Sequence, residues 1–443
     1  MKKLPNAFTL MLGLLCMTWA ATFIIPKGSY TRITDSESGL TTVVNGSYKE
    51  IEAESLDIFD LLLIVPEGLI SRADLIVLIF LLGGCFFIVE KTGVLGHGLQ
   101  WVVDRLKGRD WIALMLVSVI FATGGATIGM QEEFIALTPL LIAFSRSMGY
   151  NAFVAIGMSF GAAVIGSAFS PMNPFAVVLA QKEAELPLLS GLNFRLAFLI
   201  LVLALYLLFL WRYARLNRME KIPMSDSGTP ISMRSGIILG LIALTFGVVT
   251  YGLLFLGWGF NEISAFFFLL GLLTGLIAGL GLDRTCLMYV DGMKEMTYAA
   301  VILGLASGIP ILLEKGQILD TVIHTAFTPM ESLPPSMSAL GMMGSQALLH
   351  FPIMSYSAQA LMTMPVLIPL SDLVGVSRQV CVLAYQYGAV NMDMFVPTNG
   401  ALMAILAVAG ISYDKWVRFV WKPLLLCFAV ATLGVLTAVY TGF

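Results

Sequence analysis

Four polar interruptions in otherwise apolar sequence carry the groups that could bind a solute. They are Gly124-Gly125-Ala126-Thr127-Ile128-Gly129-Met130-Gln131-Glu132-Glu133, Ser170-Pro171-Met172-Asn173-Pro174, Ser355-Tyr356-Ser357-Ala358-Gln359 and Asp393-Met394-Phe395-Val396-Pro397-Thr398-Asn399-Gly400. Proline removes an amide donor and disturbs the bond to the carbonyl four residues back, so such breaks free backbone groups. Freed carbonyl ends suit Na⁺ and amide ends suit an anion. Thr127, Ser170, Asn173, Ser355, Ser357, Thr398 and Asn399 add neutral oxygens for a hard cation and amide donors for a carboxylate. One break alone reads as a Pro kink or a small-residue packing contact; four in matching pairs read as a binding site.

Ionisable residues inside a membrane are costly and are functional hypotheses by default. Glu132 at a hairpin tip would bind Na⁺, carry a coupling proton or pair with a substrate amine; its plain alternative is a helix N-terminal carboxylate favoured by the dipole. Asp393, just before the last break, has the same alternatives as a site or as the buried partner of an unseen donor. His97, His324 and His350 have no metal-ligand spacing, and no His-Glu zinc motif or Ser/His pair is present, so neither a metal centre nor an enzyme is expected. The five cysteines are scattered through apolar stretches, which argues against disulfides and structural zinc.

The elements that must position these residues are membrane helices. Of 443 residues 58% are hydrophobic and 12% charged, and mean hydropathy is +0.89, against about 25% charged in soluble domains. A net charge of −3 with no long basic run argues against nucleic acid as a partner, since that binding rests on neutralised phosphates. Apolar segments fall at about 8–25, 74–90, 110–145, 152–186, 194–212, 234–257, 262–282, 297–313, 336–371, 377–410 and 417–441. The first is expected to be an uncleaved transmembrane helix, because its apolar run continues past Cys16 to Ile25.

Basic flanks at Lys2, Lys3, Lys91, Arg105, Lys107, Arg109, Arg212, Arg215, Arg218, Lys221, Lys415, Arg418 and Lys422 are expected on the cytoplasmic side. The acidic loop from Lys27 to Arg72 is expected outside. For these flanks to agree, 110–145 and 336–371 must be re-entrant hairpins. A shift of 226 pairs Pro139 with Pro365, Ser145 with Ser371, Gly149 with Gly375, Pro171 with Pro397 and Asn173 with Asn399, and sets Gln131 opposite Ser357; a shift of 224 pairs Gly84 with Gly308 and Glu90-Lys91 with Glu314-Lys315. The expected fold is an all-α polytopic membrane protein of two inverted-topology repeats, 1–233 and 258–443, linked by a helix at 234–257. Each repeat has a re-entrant hairpin (110–145; 336–371) and a broken transmembrane helix (152–186; 377–410). Inverted repeats with matching breaks point to a secondary transporter with a midplane site.

The residues Ile24-Ile25-Pro26-x-Gly28-x-Tyr30, Gly129-Met130-x-Glu132-Glu133, Ser170-Pro171-x-Asn173-Pro174-Phe175 and Val396-Pro397-Thr398-x-Gly400 resemble the YfcC-type carriers, in the C4-dicarboxylate anaerobic carrier-like branch of the ion transporter superfamily. That resemblance runs from about Leu4 to the end. It implies an inner-membrane secondary carrier, often a dimer, grouped with dicarboxylate and basic amino-acid carriers. Its hairpin and break motifs fall on Gly129, Met130, Glu132, Glu133, Ser170, Asn173, Pro174, Ser355, Ser357, Gln359, Pro397, Thr398 and Gly400. The sequence departs from the pattern at Tyr356 and Ala358, where the family has glycines, at Asp393, where Asn is usual, and at Asn399, where Ser is usual.

The expected function is ion-coupled secondary transport of a small carboxylate-bearing metabolite, with Na⁺ at the hairpin tips or H⁺ as coupling ion and no other cofactor. The absence of Arg from the four breaks leaves a dicarboxylate to amide ends, hydroxyls and Na⁺, whereas Glu132 and Asp393 favour an amino acid. A basic amino-acid exchanger of the same fold is the alternative; a channel or non-transporting scaffold is the other class. The expected placement is multi-pass in the bacterial inner membrane, amino terminus cytoplasmic, carboxyl terminus outside, as a homodimer.

Overall fold

In a computed structural model, which describes residues 7–34, 41–44, 46–52, 55–94, 109–131, 133–220, 233–256 and 258–443, the apolar segments are helices. α1 (Ala7–Ala21) leads into two small antiparallel ribbons: β1 (Gly28–Ser29) pairs with β4 (Lys49–Glu50), and β2 (Arg32–Thr34) with β3 (Thr41–Val43). Then follow α2 (Ile58–Ser71), α3 (Ala73–Lys91), α4 (Asp110–Ile128), α5 (Glu133–Ser147) and α6 (Ala152–Ala168), the last with a π turn at Gly157–Gly161. A π turn Pro174–Val178 runs into α7 (Leu179–Glu183), followed by α8 (Leu192–Leu216) and α9 (Met233–Phe255). The remainder comprises α10 (Phe260–Ile277), α11 (Leu282–Glu295), α12 (Thr297–Lys315), α13 (Leu319–Phe327), α14 (Pro335–Leu349), α15 (Tyr356–Leu373), α16 (Arg378–Ala389), α17 (Gly400–Val408) and α18 (Tyr413–Thr441).

Among the described residues, α3, α4, α8, α10, α12 and α18 are long and apolar enough to cross a membrane. The chain is a multi-pass membrane protein. Lys2, Lys3, Arg105, Lys107 and Lys221, five of the basic flanks, lie outside the described residues.

Three helices, α2, α11 and α13, lie outside the apolar segments read from the sequence. The segment 27–72, expected as a loop, contains α2. Its start is fixed by a capping box: Asp60 N–H donates to Asp57 at 2.8 Å and Asp57 N–H to Asp60 at 2.9 Å, satisfying amides the helix cannot pair itself. α11 carries Asp283, Arg284, Asp291, Lys294 and Glu295 and is amphipathic, so hydropathy averaged along the chain passes over it. α2 is instead a short apolar run interrupted by Asp60, Pro66 and Glu67, with Ile64 and Gly68 buried and Ile58, Phe59, Leu62 and Ile70 exposed.

Packing is reciprocal across the chain. α1 and α2 lie on α12, while α10 and α11 lie on α3; α4 packs on α6, and α14 on α16; α5 meets α17, and α15 meets α7. Helix contacts in a bilayer depend on close backbone approach at small residues. The α4–α6 crossing shows it: a Cβ on Gly166 would lie 1.9 Å from the Ala122 carbonyl oxygen, and one on Gly125 2.0 Å from that of Ala163. No side chain fits there.

Candidate functional site

The chain is helical up to the interruptions and again after them. α4 ends at Gly129, whose φ of 70° is left-handed, a conformation glycine adopts without a Cβ penalty. α6 stops at Phe169 and helix resumes at Pro174. In the second half, α16 passes through a 3-10 turn, Val390–Met394, before helix resumes at Gly400. The end of α4 and the start of α15 face a common cavity of about 390 Å³. Its walls include Arg72, Gly129, Gln131, Phe175, Ser355, Tyr356 and Ser357, with Trp258, Phe260 and Met354.

Two features make this cavity suited to an anion. The first turn of the 18-residue α15 opens onto it, capped by the Ser355 hydroxyl, which accepts from Ala358 N–H at 3.4 Å; helix amides and dipole favour negative charge there. Arg72, at the corner between α2 and α3, adds a guanidinium. The breaks themselves contain no Arg, and this one arrives from elsewhere in the chain.

Behind the Tyr356 and Gln131 wall lies a buried polar cluster centred on Asp393. One carboxylate oxygen accepts from Asn399 Nδ2 at 2.7 Å and meets His350 Nε2 at 2.8 Å. The other accepts from the Tyr356 hydroxyl and from Gln131 Nε2 at 2.5 Å. A carboxylate has about four lone-pair sites, so Asp393 is saturated and is not open to a substrate ammonium. His350 continues the network through Nδ1 to Gln359 Oε1 at 2.7 Å. Gln359 Nε2 donates to the Gln346 carbonyl at 2.9 Å, Gln346 Nε2 to Thr363 Oγ1 at 2.8 Å, and Thr363 Oγ1 to the Gln359 carbonyl at 2.6 Å. His350, Gln346, Gln359, Thr363 and Asp393 are all fully buried. Tyr356 and Asn399 thus both bond to Asp393, so these three positions act through one carboxylate.

The first break is held differently. Ser170 Oγ donates to the Ala126 carbonyl at 2.6 Å and accepts from Met172 and Asn173 N–H at 2.9 and 2.7 Å. Asn173 Nδ2 donates to the Gly125 carbonyl at 2.9 Å, and its oxygen accepts from Phe175 and Ala176 N–H, both at 3.0 Å. Asn399 likewise caps α17, accepting from Leu402 N–H at 2.9 Å. Both asparagines therefore start the helix after a break, as N-caps do. Helix α16 is tied to the first break: fully buried Arg195 donates to the Gln386 side-chain oxygen, and Gln386 Nε2 donates to the Ser167 and Ser170 carbonyls at 3.1 and 2.9 Å.

The expected site residues thus separate into layers. Gly129, Gln131, Ser355 and Ser357 line the cavity. Gln359, Asp393 and Asn399 stand behind its wall, and Thr398 donates to the Phe351 carbonyl at 2.7 Å. Ser170 and Asn173 tie the first break to α4. Thr127 donates to the Thr123 carbonyl at 2.7 Å and borders a separate apolar cavity of about 460 Å³ with Phe86, Phe121 and Phe267. Glu132 lies outside the described residues. Sequence reasoning passed over His350, Gln346, Thr363 and Arg72. For His350 a signal existed: an ionisable residue between apolar Leu349 and Phe351 deserves a functional hypothesis whatever its metal spacing. Arg72 had none, because only the fold brings it beside the end of α4 and the start of α15.

A model of the C4-dicarboxylate anaerobic carrier family matches residues 4–440. A protein of Escherichia coli K12 described as a putative basic amino acid antiporter YfcC is 30% identical over 410 residues, covering 85% of this chain and 81% of its own. An uncharacterized protein of Haemophilus influenzae is 29% identical over 481 residues, covering 96% and 94%. The crystal structure of the Alcanivorax borkumensis YdaH transporter aligns over 99% of each chain with 17% identity and a TM-score of 0.46. With the family model matched along nearly its whole length, this chain belongs to the C4-dicarboxylate anaerobic carrier family of membrane transporters.

Proposed function

We propose that the protein is a secondary active, ion-coupled carrier that moves a small carboxylate-bearing metabolite across the bacterial inner membrane. The observation that carries this reading is the cavity in which Arg72, the first turn of α15, Ser355 and Ser357 face the same space. A guanidinium with helix amides and hydroxyls matches a carboxylate, since charge-assisted hydrogen bonds are about twice as strong as neutral ones. Phe175, Trp258 and Phe260 provide apolar walls for a short carbon chain.

In this reading the two halves are inverted repeats, supported by α2 on α12 against α11 on α3, and by α5 on α17 against α15 on α7. Helices α4 with α5, and α14 with α15, are its re-entrant hairpins. Alternating access then comes from moving the hairpins and broken helices against α3, α10 and α12. A dicarboxylate fits best, because Asp393 is saturated. The description of the E. coli relative favours a second reading, basic amino-acid exchange, with the substrate α-carboxylate at Arg72.

Counterflow in proteoliposomes separates the two. Protein loaded with unlabelled succinate, fumarate, aspartate, lysine or arginine is offered the labelled compound outside. Saturable exchange of succinate or fumarate without lysine or arginine supports the dicarboxylate reading; exchange of lysine or arginine alone supports the second. Exchange of none of them, with folded protein in the vesicles, defeats both.

A further inference from the structure

We propose that His350 and Asp393 share one transferable proton and that this pair is the proton carrier of the transport cycle, an inference that rests on the carrier reading and adds the coupling ion to it. Gln359 sets the tautomer of the His350 imidazole. Its Nε2 donates to the Gln346 backbone carbonyl at 2.9 Å; a carbonyl only accepts, so the orientation of that amide is fixed and Oε1 is the atom facing His350 Nδ1 at 2.7 Å. Nδ1 must therefore carry a hydrogen. The remaining nitrogen, Nε2, meets an Asp393 oxygen at 2.8 Å. That contact needs a hydrogen too, placed either as imidazolium with carboxylate or as neutral imidazole with carboxylic acid.

Either way the pair holds one proton and is neutral. When that proton leaves for water, Asp393 remains a carboxylate and His350 a neutral imidazole bearing its hydrogen on Nδ1, so the Nε2 lone pair faces an anionic oxygen. A net negative charge then sits in a fully buried place with its central hydrogen bond replaced by a repulsion, a costly state. It is relieved by separating the two side chains. They belong to different elements: His350 caps α14 in the second hairpin, whereas Asp393 lies in the turn of the second broken helix. Proton loss thus favours a local separation of the end of α14 from the turn at Asp393, directly behind the cavity wall formed by Tyr356 and Gln131, which ties the proton to the substrate space.

Among the described residues, Tyr356 on α15 and Tyr385 on α16 are titratable neighbours of the pair; the first donates to Asp393 and the second to the Tyr356 carbonyl at 2.7 Å. Asn399 on α17 and Gln131 after α4 are neutral donors. Arg72 stands across the cavity, and among the described residues His350 is the one ion-pair partner of Asp393. Tyr356 and Gln131 touch Asp393 on one side and line the cavity on the other, so the pair lies one layer of side chains from the cavity.

Two measurements test this. In proteoliposomes clamped electrically with K⁺ and valinomycin, an inward proton gradient should accelerate entry of labelled succinate or lysine, whichever shows counterflow. The ratio of gradient-driven entry to counterflow should fall by about tenfold or more in Asp393→Asn and in His350→Gln, a loss typical of a broken coupling between two sites. A ratio kept near that of the wild type in Asp393→Asn overturns the proposal. Absence of counterflow in the wild type is the failure of the carrier reading instead. The proton claim is then still decided without substrate, by acid–base infrared difference spectra of wild-type protein in lipid with isotope-labelled histidine. Carboxyl and imidazole bands that change together, and vanish in both variants, support it; a wild-type spectrum identical to that of Asp393→Asn overturns it.

Discussion

Replacing Asn173 by Ala separates a helix cap from a substrate ligand, and the structure fixes the size of the effect. The Asn173 oxygen accepts from Phe175 and Ala176 N–H at 3.0 Å each, and its amide donates to the Gly125 carbonyl at 2.9 Å. Loss of an N-cap costs about 1 kcal/mol. Asn173 is fully buried and so is Ala176, and a buried donor left unpaired costs about 1–3 kcal/mol. The Gly125 carbonyl loses less, because Ser167 Oγ still donates to it at 2.8 Å and Gly129 N–H at 3.2 Å. The expected destabilisation is about 2–4 kcal/mol. Asn173→Ser keeps a capping oxygen and should lose about 1 kcal/mol. Denaturant unfolding in mixed micelles reads this as a midpoint shift at constant slope. An Asn173→Ala protein as stable as wild type but inactive would refute the cap and make Asn173 a ligand; equal losses in the Ala and Ser variants would also refute it.

Arg72→Gln should raise the apparent KM for a carboxylate substrate by about 10–100-fold, the value of a charge-assisted hydrogen bond, with Arg72→Lys intermediate; transport kinetics check it. Gly166→Ala puts a methyl against the Ala122 carbonyl and should cost about 1–3 kcal/mol by overpacking, measured by denaturant midpoint. Gln386→Leu leaves buried Arg195 without its main acceptor and should destabilise by about 3–5 kcal/mol, while the double variant Arg195→Met/Gln386→Leu recovers much of the loss. A double-mutant cycle on unfolding measures the difference.

Much of this arrangement was legible because bilayer physics is strict. Long apolar runs had to be helices, and the Pro, Gly and Asn register had to mark their interruptions, so Phe169 to Pro174 and Met394 to Gly400 stand where the sequence placed breaks. What the interruptions do was less legible. Asn173 and Asn399 read as ligands, yet their oxygens bond to amides two or three residues ahead, a local use invisible without knowing where helix resumes. Asp393 read as open to a substrate amine, whereas four donors from three other segments close around it. His350 was dismissed for want of metal spacing, although the relevant partner is 43 residues away. Long-range pairs such as Gln131 with Asp393, or Arg72 with α15, follow from packing of helices that sequence alone does not pair. Amphipathic α11 does not stand out because its apolar residues lie on one face rather than in one run, whereas α2 is an apolar run hidden in a segment dominated by acidic residues.

Occupation by the substrate of the cavity between the end of α4 and the start of α15 is open to a direct measurement. Exposed Cys16 and Cys286 are replaced by Ser, and single cysteines are placed at Ser357 on the cavity wall and at Thr127 on the apolar side. Rates of modification by a charged thiol reagent are then measured in proteoliposomes with and without the compound that undergoes counterflow. The account predicts fast labelling at position 357 that slows with saturating substrate, and slow labelling at 127 that does not change. Substrate-insensitive labelling at 357, or protection at 127 instead, would contradict it.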